Sequence, residues 1–258
     1  MKLTQFKKFL DKYFGDKLIE KARKDDPYLP NGLQWRGKEE IKKIALGVSA
    51  NQKFFQKAIN FQAKVVIVHH ALGSDYPFFL YLPTLQKRLE TLSKNNLSLF
   101  GYHYILDSHP KIGNNAQIIK KLGAKKLNIR LHDGWGWIGE FAKAQPINKL
   151  QRKCKNLFNH EIFAVKAGKT LVKRIGVVSG GGIPRAKENL ELLEKEVDLY
   201  ITGEIIEEKL QEFKELGIAY FACGHYATET FGVKALGGVI KKKFPNLEVK
   251  FIDIPNEL

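Results

Sequence analysis

Cysteine is scarce in this sequence, with only Cys154 and Cys223 among 258 residues. Two thiols cannot form the several disulfides that staple a small secreted domain. The sequence therefore predicts a protein of a reducing compartment, and the cytoplasm is the expected location.

Long apolar runs are lacking as well. The longest stretch poor in charge, residues 65–86, contains two histidines, an aspartate and two prolines, so it is a poor candidate for a membrane span. The apolar N-terminal run is interrupted by Lys7, Lys8, Asp11 and Lys12, which excludes a secretory signal. We expect no membrane association.

Acidic residues are fewer than basic ones, 27 against 43, and the formal net charge is +16. A chain of this charge could bind nucleic acid or a small anionic substrate. The lysines are spread along the chain and no nucleic-acid-binding motif is visible. We therefore attribute the positive charge to lysines on solvated helix faces, and nucleic acid is the less favoured partner.

The remaining composition is that of a globular protein, with 44% hydrophobic and 27% charged residues. Apolar positions alternate between helix-like and strand-like periods along the whole chain, which predicts an α/β protein. We expect two similar α/β lobes with helix-covered sheets. The first lobe would comprise residues 1–125 with 220–258 and the second residues 126–219, with a metal site in the cleft between them.

The strongest local signal is the pair His69-His70, at the end of a predicted buried strand over residues 64–68. Successive side chains of a strand point to opposite faces, so adjacent histidines share a cavity only where the strand ends. There they could each serve one of two neighbouring ions. The alternative is a pair of polar residues leaving the core, but sites of α/β proteins gather at such strand ends.

A second signal follows the apolar strand at residues 218–222. If a helix starts by Gly224, His225 and Glu229 lie one turn apart on one face and could ligate the same ion. A surface ion pair is the alternative. Cys223 could be a nucleophile assisted by His225, but a buried structural cysteine is more common.

Two further segments carry candidates. If residues 103–107 are extended, His103 and Asp107 lie about 13 Å apart and cannot bind one ion. Asp107 is then the better ligand, and His103 would contact either a metal ligand or the substrate. Glu204, at another strand end, could be a base or a carboxylate that orients a ligand, and it could equally be a first-turn acid stabilised by the helix dipole.

The glycine-rich segment Ser179–Arg185 lies between a predicted strand and a predicted helix. Its backbone N–H groups could hold an anion, but its spacing matches neither the dinucleotide nor the Walker fingerprint. A tight turn is an equally good interpretation. Asn114-Asn115 is interpreted as a helix cap, and Gly123 as the end of that helix.

Together these segments resemble the GTP cyclohydrolase 1 type 2 family, also called the NIF-three-like dinuclear metal-centre family. The similarity runs in order from about Asn31 to Leu236. It is carried by Asn31–Gln34, His69-His70, His103–Asp107 with Tyr104 in place of a threonine, Gly134–Gly139, Asp198–Glu204 and Cys223–Gly232.

The resemblance implies two divalent ions. His70 and Asp107 would ligate one, His69 and His225 the other, and Glu229 would bridge both. Nitrogen and carboxylate ligands suit zinc, iron, manganese, cobalt or nickel. The resemblance also implies a homohexamer.

A hydrolase acting on a phosphate-bearing or nucleotide-like substrate is the favoured function, with Glu204 or His103 transferring protons. A metal-storage or metallochaperone protein and a nucleic-acid-binding ring are the alternatives, so turnover itself stays open.

Overall fold

The structure, a computed structural model, describes residues 1–29, 31–73, 82–182, 184 and 187–256. The chain divides into two compact units, one formed by Met1–Leu106 with Val233–Ile254 and the other mainly by Asp107–Gly232. Each unit contains its own sheet covered by helices, which confirms the predicted α/β class. None of the helices in the described ranges is long and apolar enough to cross a bilayer.

The first unit contains a five-stranded sheet in the order β1-β4-β3-β2-β11, parallel except for the antiparallel edge strand β1. Its elements are α1 (Leu3–Phe14), α2 (Asp16–Asp25), β1 (Gly32–Trp35), β2 (Lys43–Ser49), α3 (Gln52–Asn60), β3 (Val65–His70), α4 (Pro83–Lys94), β4 (Ser98–Gly101) and β11 (Glu248–Phe251).

The amino-acid sequence of β3 suits an interior strand of this sheet. Four consecutive β-branched residues, Val65 to Val68, are fully buried, as expected for a parallel strand covered on both faces. The carboxyl ends of β3 and of its parallel neighbour β4 lie at the same edge, and His69, His70 and His103 occur there or just beyond.

The second unit contains a six-stranded sheet in the order β5-β6-β8-β9-β10-β7. Its elements are α6 (Asn114–Leu122), β5 (Lys125–Leu131), β6 (Gly136–Pro146), α7 (Ile147–Phe158), β7 (Phe163–Val165), β8 (Leu171–Val177), α8 (Lys187–Glu196), β9 (Leu199–Thr202), α9 (Glu207–Glu215) and β10 (Ala219–Ala222). Two helices include residues of both units, α5 (Tyr104–Ser108) and α10 (His225–Lys243).

Alternate residues of β9 face two separate apolar clusters. Leu199 and Ile201 belong to one, beneath α6 and α7, and Tyr200 belongs to the other, with Phe213 and Tyr220. Both faces of this sheet are therefore covered. The parallel strands β8, β9 and β10 end at one edge.

The helix predicted to end at Gly123 is confirmed as α6, whose C-cap Gly123 has a φ of 86°. Three corrections apply. The apolar pattern of residues 97–104 predicts a strand over that whole range, but the strand ends at Gly101 and α5 follows it. Residues 125–131 form β5, which was not predicted. Asn114 lies inside the first turn of α6, whose N-cap is Gly113.

The compact units have different limits from the lobes predicted at residues 125–126 and 219–220. Side chains of α6 pack in the apolar cluster of the second sheet, and β10 is a strand of that same sheet. The predicted lobe division itself stays a prediction. Ile183 and Arg185, which belong to the predicted glycine-rich loop, lie outside the described residues.

Candidate metal centre

His69 and His70 are the last two residues of β3, and their ring centroids are 4.8 Å apart. Nδ1 of the fully buried His69 lies 3.0 Å from the carbonyl oxygen of Tyr102. A carbonyl only accepts hydrogen bonds, so this nitrogen carries the proton and the lone pair is on Nε2. Nδ1 of His70 lies 3.1 Å from the hydroxyl oxygen of Ser49.

His103 joins these two histidines. Its ring centroid is 4.8 Å from that of His69 and 5.4 Å from that of His70. Its backbone N–H donates to Oδ1 of Asn31 at 2.8 Å, and its Nδ1 lies 2.5 Å from Oδ2 of Asp26. One ligand atom from each of the three histidines lies within 4.8 Å of the others, so the group could hold a metal ion.

The extended geometry expected after His103 is absent. Residues 104–108 form α5, so the separation of about 13 Å that followed from the strand rise does not apply. The spacing argument that set His103 apart from the ligands is therefore wrong. The sequence pattern around His103 is rich in aromatic and β-branched residues, which favour strands, and a five-residue helix is too short to show its own period.

Asp107, in the second unit, lies at the end of α5 and is buried. Its Oδ1 accepts hydrogen bonds from Nδ2 of Asn114 at 2.9 Å and from Oγ of Ser179 at 2.6 Å. Asn114 is fully buried and its own Oδ1 accepts from the backbone N–H of Gly232. These contacts fix the carboxylate in one orientation. The polar Asn-Asn pair at a buried helix start was the signal that could have identified Asn114.

His225 and Glu229 lie one turn apart in α10, with Nε2 of the histidine 3.2 Å from Oε1 of the glutamate. The predicted common face is confirmed. Glu229 is only 2% exposed. The other ring nitrogen of His225, Nδ1, lies 2.5 Å from Oε1 of Glu204. Glu204 therefore touches a predicted ligand directly.

The two carboxylates determine the protonation of this histidine. Burial lowers the pKa of His225, but the hydrogen bonds and charges of Glu229 and Glu204 raise it by more, to about 9. The same negative charge that holds a proton on the ring would also attract a divalent cation to this position.

The glycine-rich loop packs against these carboxylates. A Cβ added to Gly180, which has a φ of 62°, would overlap Oε1 of Glu229, and one added to Gly181 would lie 3.2 Å from Oε2 of Glu204. The loop therefore needs glycine for close approach as well as for its backbone conformation. Because two carboxylates face these glycines, the loop is poorly suited to bind an anion at this point.

Cys223 is fully buried beside Cys154. Burial, together with the hydrogen bond to Cys154, raises the pKa of the Cys223 thiol well above its usual value. A neutral, inaccessible thiol is a poor nucleophile, so the structure favours the structural interpretation of this residue.

Comparison with known proteins identifies the family of this chain. The family model described as Duf34/NIF3 (NGG1p interacting factor 3) matches residues 1–257. A protein of Pyrococcus horikoshii named "GTP cyclohydrolase 1 type 2 homolog" is 40% identical over 235 residues, covering 88% of this chain and 90% of its own.

A protein of the same name from Buchnera aphidicola subsp. Schizaphis graminum is 37% identical over 257 residues, covering 96% of this chain and 99% of its own. A crystal structure of a Thermus thermophilus protein superposes with a TM-score of 0.86 at 30% identity and covers all of both chains. The chain belongs to the Duf34/NIF3 family.

Proposed function

We propose that this protein holds two divalent metal ions and hydrolyses a small phosphate-bearing or nucleotide-like substrate. The observation that carries the proposal is the group of His69, His70 and His103, whose ligand atoms lie within 4.8 Å of one another. Three imidazoles this close are typical of a metal site and unusual in an ordinary core.

The donor set fits divalent ions. The proposed ligands are His69, His70, Asp107, His225 and Glu229, with Glu229 shared between the ions. Oxygen atoms beside Nδ1 of His69 and His225 leave Nε2 as the coordinating atom of these two rings. Imidazole and carboxylate together suit zinc, iron, manganese, cobalt or nickel.

When bound, a pair of such ions would acidify a water molecule and polarise a phosphoryl or amide group. Residues of the chain would hold and transfer the protons. Glu204 holds the Nδ1 proton of His225, and Asp26 orients His103 so that its Nε2 exchanges a proton with the substrate. The net charge of +16 favours an anionic substrate. The name of the relatives, "GTP cyclohydrolase 1 type 2 homolog", supports a purine nucleotide as one substrate to test.

We propose further that the protein works in the cytoplasm as a homohexamer. Its two cysteines are free thiols, which agrees with a reducing compartment. Sedimentation analysis of the purified chain would test the assembly, and a monomer would contradict it.

The proposal is tested by elemental analysis of the purified chain, followed by a screen of phosphoesters and cyclic amides for hydrolysis. We expect two divalent ions per chain and turnover of at least one compound. Asp107→Ala should abolish turnover and reduce the metal content, while Asp16→Ala, in the first turn of α2, should change neither. Thermal unfolding of both variants checks the fold.

Each remaining outcome overturns a part of the proposal. Retention of both ions in Glu229→Ala would exclude the bridging role. Rapid metal exchange without any turnover would indicate a metallochaperone. Binding of RNA or DNA that weakens steeply with salt, whatever the metal content, would indicate a nucleic-acid-binding ring.

A further inference from the structure

Two cations of the edge strand β5 enclose the indole of Trp137. Nζ of Lys126 lies 3.5 Å from the ring centroid and Cζ of Arg130 lies 3.3 Å from it. Two groups this close to one face of the ring would overlap each other, so the cations lie on opposite faces. The side chain of Trp137 is 2% exposed, which makes it a rigid spacer between them.

Arg130 is held in place along one edge. Its Nη1 donates to the carbonyl oxygens of Ser108 and Gly134, both at 3.0 Å. Among the described residues its Nε and Nη2 make no hydrogen bond, and neither Arg130 nor Lys126 forms an ion pair with a carboxylate there. The other edge of a stacked, anchored guanidinium is a fork that fits an oxyanion.

The surroundings of Arg130 and Lys126 disfavour their positive charges. Burial lowers the pKa of Arg130, and burial together with the charge of Arg130 lowers the pKa of Lys126. Two cations that repel each other in a partly desolvated place are stabilised by an anion of the right size.

The spacing matches a single oxyanion. Together the two centroid distances place Nζ and Cζ no more than about 7 Å apart. A tetrahedral oxyanion at the rim of the indole could accept charge-assisted hydrogen bonds of about 2.8 Å from both groups at once.

We propose that Lys126 and Arg130, held on the two faces of Trp137, bind the phosphate group of a small phosphorylated ligand. The subsite lies beside a predicted metal ligand, because the Ser108 carbonyl that accepts from Arg130 also accepts from Nε1 of Trp137 at 2.9 Å, and Ser108 follows Asp107. Its assignment to the substrate of the metal centre rests on the proposed function, whereas phosphate binding itself does not.

The test is calorimetric titration of the full-length chain with inorganic phosphate, a nucleoside monophosphate and the corresponding nucleoside. We expect saturable binding of one phosphate or nucleotide per chain and no binding of the nucleoside. A nucleotide that binds more tightly than phosphate identifies a phosphate ester as the ligand, and equal affinities identify free phosphate.

Variants locate the subsite. Arg130→Gln should weaken phosphate binding by about tenfold, and Lys126→Gln by several fold. Arg130→Lys, which keeps the charge and loses the fork, should lie between Arg130→Gln and the wild type. Lys125→Gln removes a charge from the neighbouring exposed position of β5 and should have little effect. Within the described ranges, Nζ of Lys126 donates one hydrogen bond, at 3.5 Å to the carbonyl oxygen of Leu127, so its variant also serves if Arg130→Gln fails to fold.

Two results would overturn the proposal: no saturable phosphate binding, whether or not RNA oligonucleotides bind, or an equal loss of phosphate binding in Lys125→Gln. The titration is repeated on chelator-treated protein to separate the two proposals. Phosphate binding that persists without metal and is lost in Arg130→Gln supports the subsite even if no hydrolysis is found. Phosphate binding that vanishes with the metal and is unchanged in Arg130→Gln assigns the anion to the metal centre and overturns the subsite.

Discussion

Oε1 of Glu204 lies 2.5 Å from Nδ1 of His225 in the second unit. Glu204 follows the end of β9 by two residues, and His225 is the first residue of α10. The carboxylate accepts a hydrogen bond from Nδ1–H, and the opposite nitrogen, Nε2, is the one that faces Glu229. Glu204 thus leaves Nε2 as the atom of His225 that is available to a metal ion.

Loss of this contact should weaken metal binding. We expect Glu204→Ala to reduce metal affinity by about 10–100-fold, because an unoriented histidine is a poorer ligand. Competition with a chromophoric chelator measures the affinity. Glu208→Ala, at an exposed position of α9, is the matched control. Equal affinities for Glu204→Ala and the wild type would show that the carboxylate does not orient the ring.

Gly180 leaves no room for a side chain beside Glu229. Gly180→Ala should destabilise the protein by about 2 kcal/mol or more, since it combines left-handed backbone strain with a steric overlap. Gly217 has nearly the same φ, 64° against 62°, and nothing within 4 Å of an added Cβ. Gly217→Ala therefore measures the backbone strain alone. The difference between the two free energies of unfolding reports the overlap, and a difference of zero would contradict the close approach.

Asp198 should make stability depend on pH. Burial raises the pKa of its carboxyl, but the backbone N–H groups of Arg174 and Lys173 and the ammonium of Lys169 lower it by more. A carboxyl group whose pKa is lower in the folded than in the unfolded state stabilises the fold at pH values above its unfolded-state pKa, about 4. This stabilisation is lost as the pH falls through the folded-state pKa.

We therefore expect Asp198→Asn to lower the free energy of unfolding by about 1–2 kcal/mol at pH 7. The difference from the wild type should shrink steadily below about pH 4. Urea unfolding at pH 7, 5, 4 and 3 measures it. Glu194→Gln, on the exposed side of α8, removes a charge without these contacts and should give a small difference at every pH. A gap that stays constant down to pH 3 would count against the prediction.

The parts of the site that sequence could predict depend on local spacing. His225 and Glu229 face each other because they are four residues apart in a helix, and His69 and His70 meet because the strand ends with them. Each of these relations is fixed by the period of one element. Asp107 was expected at the end of a strand but lies in a short helix, which has no periodic signal.

The contacts that orient the ligands could not be predicted in this way. Asp26 reaches His103 from the end of α2, and Glu204 reaches His225 from the loop after β9, so each pair is distant in sequence. Such pairs form only once the sheet order brings strand ends to one edge. The strand β5 is different, since Leu127, Ile129 and Leu131 alternate with polar residues and a closer count of that period would have identified it.

The hydroxyl of Ser179 gives the last prediction. It donates to Oδ1 of Asp107 at 2.6 Å, and both residues are buried. Ser179→Ala should lower stability by about 1.5–3 kcal/mol, because a buried carboxylate loses one of its donors, and should weaken metal binding by about tenfold, because the carboxylate is then less firmly oriented. Ser98→Ala is the matched control, since Ser98 is also buried and accepts a hydrogen bond from the backbone N–H of Gly37, which is not one of the proposed ligands. Both variants should unfold at lower urea concentration, but only Ser179→Ala should release metal more readily to a chelator. If the two variants lose metal equally, the effect of Ser179 is one of general stability, and the orientation of Asp107 is not what limits metal binding.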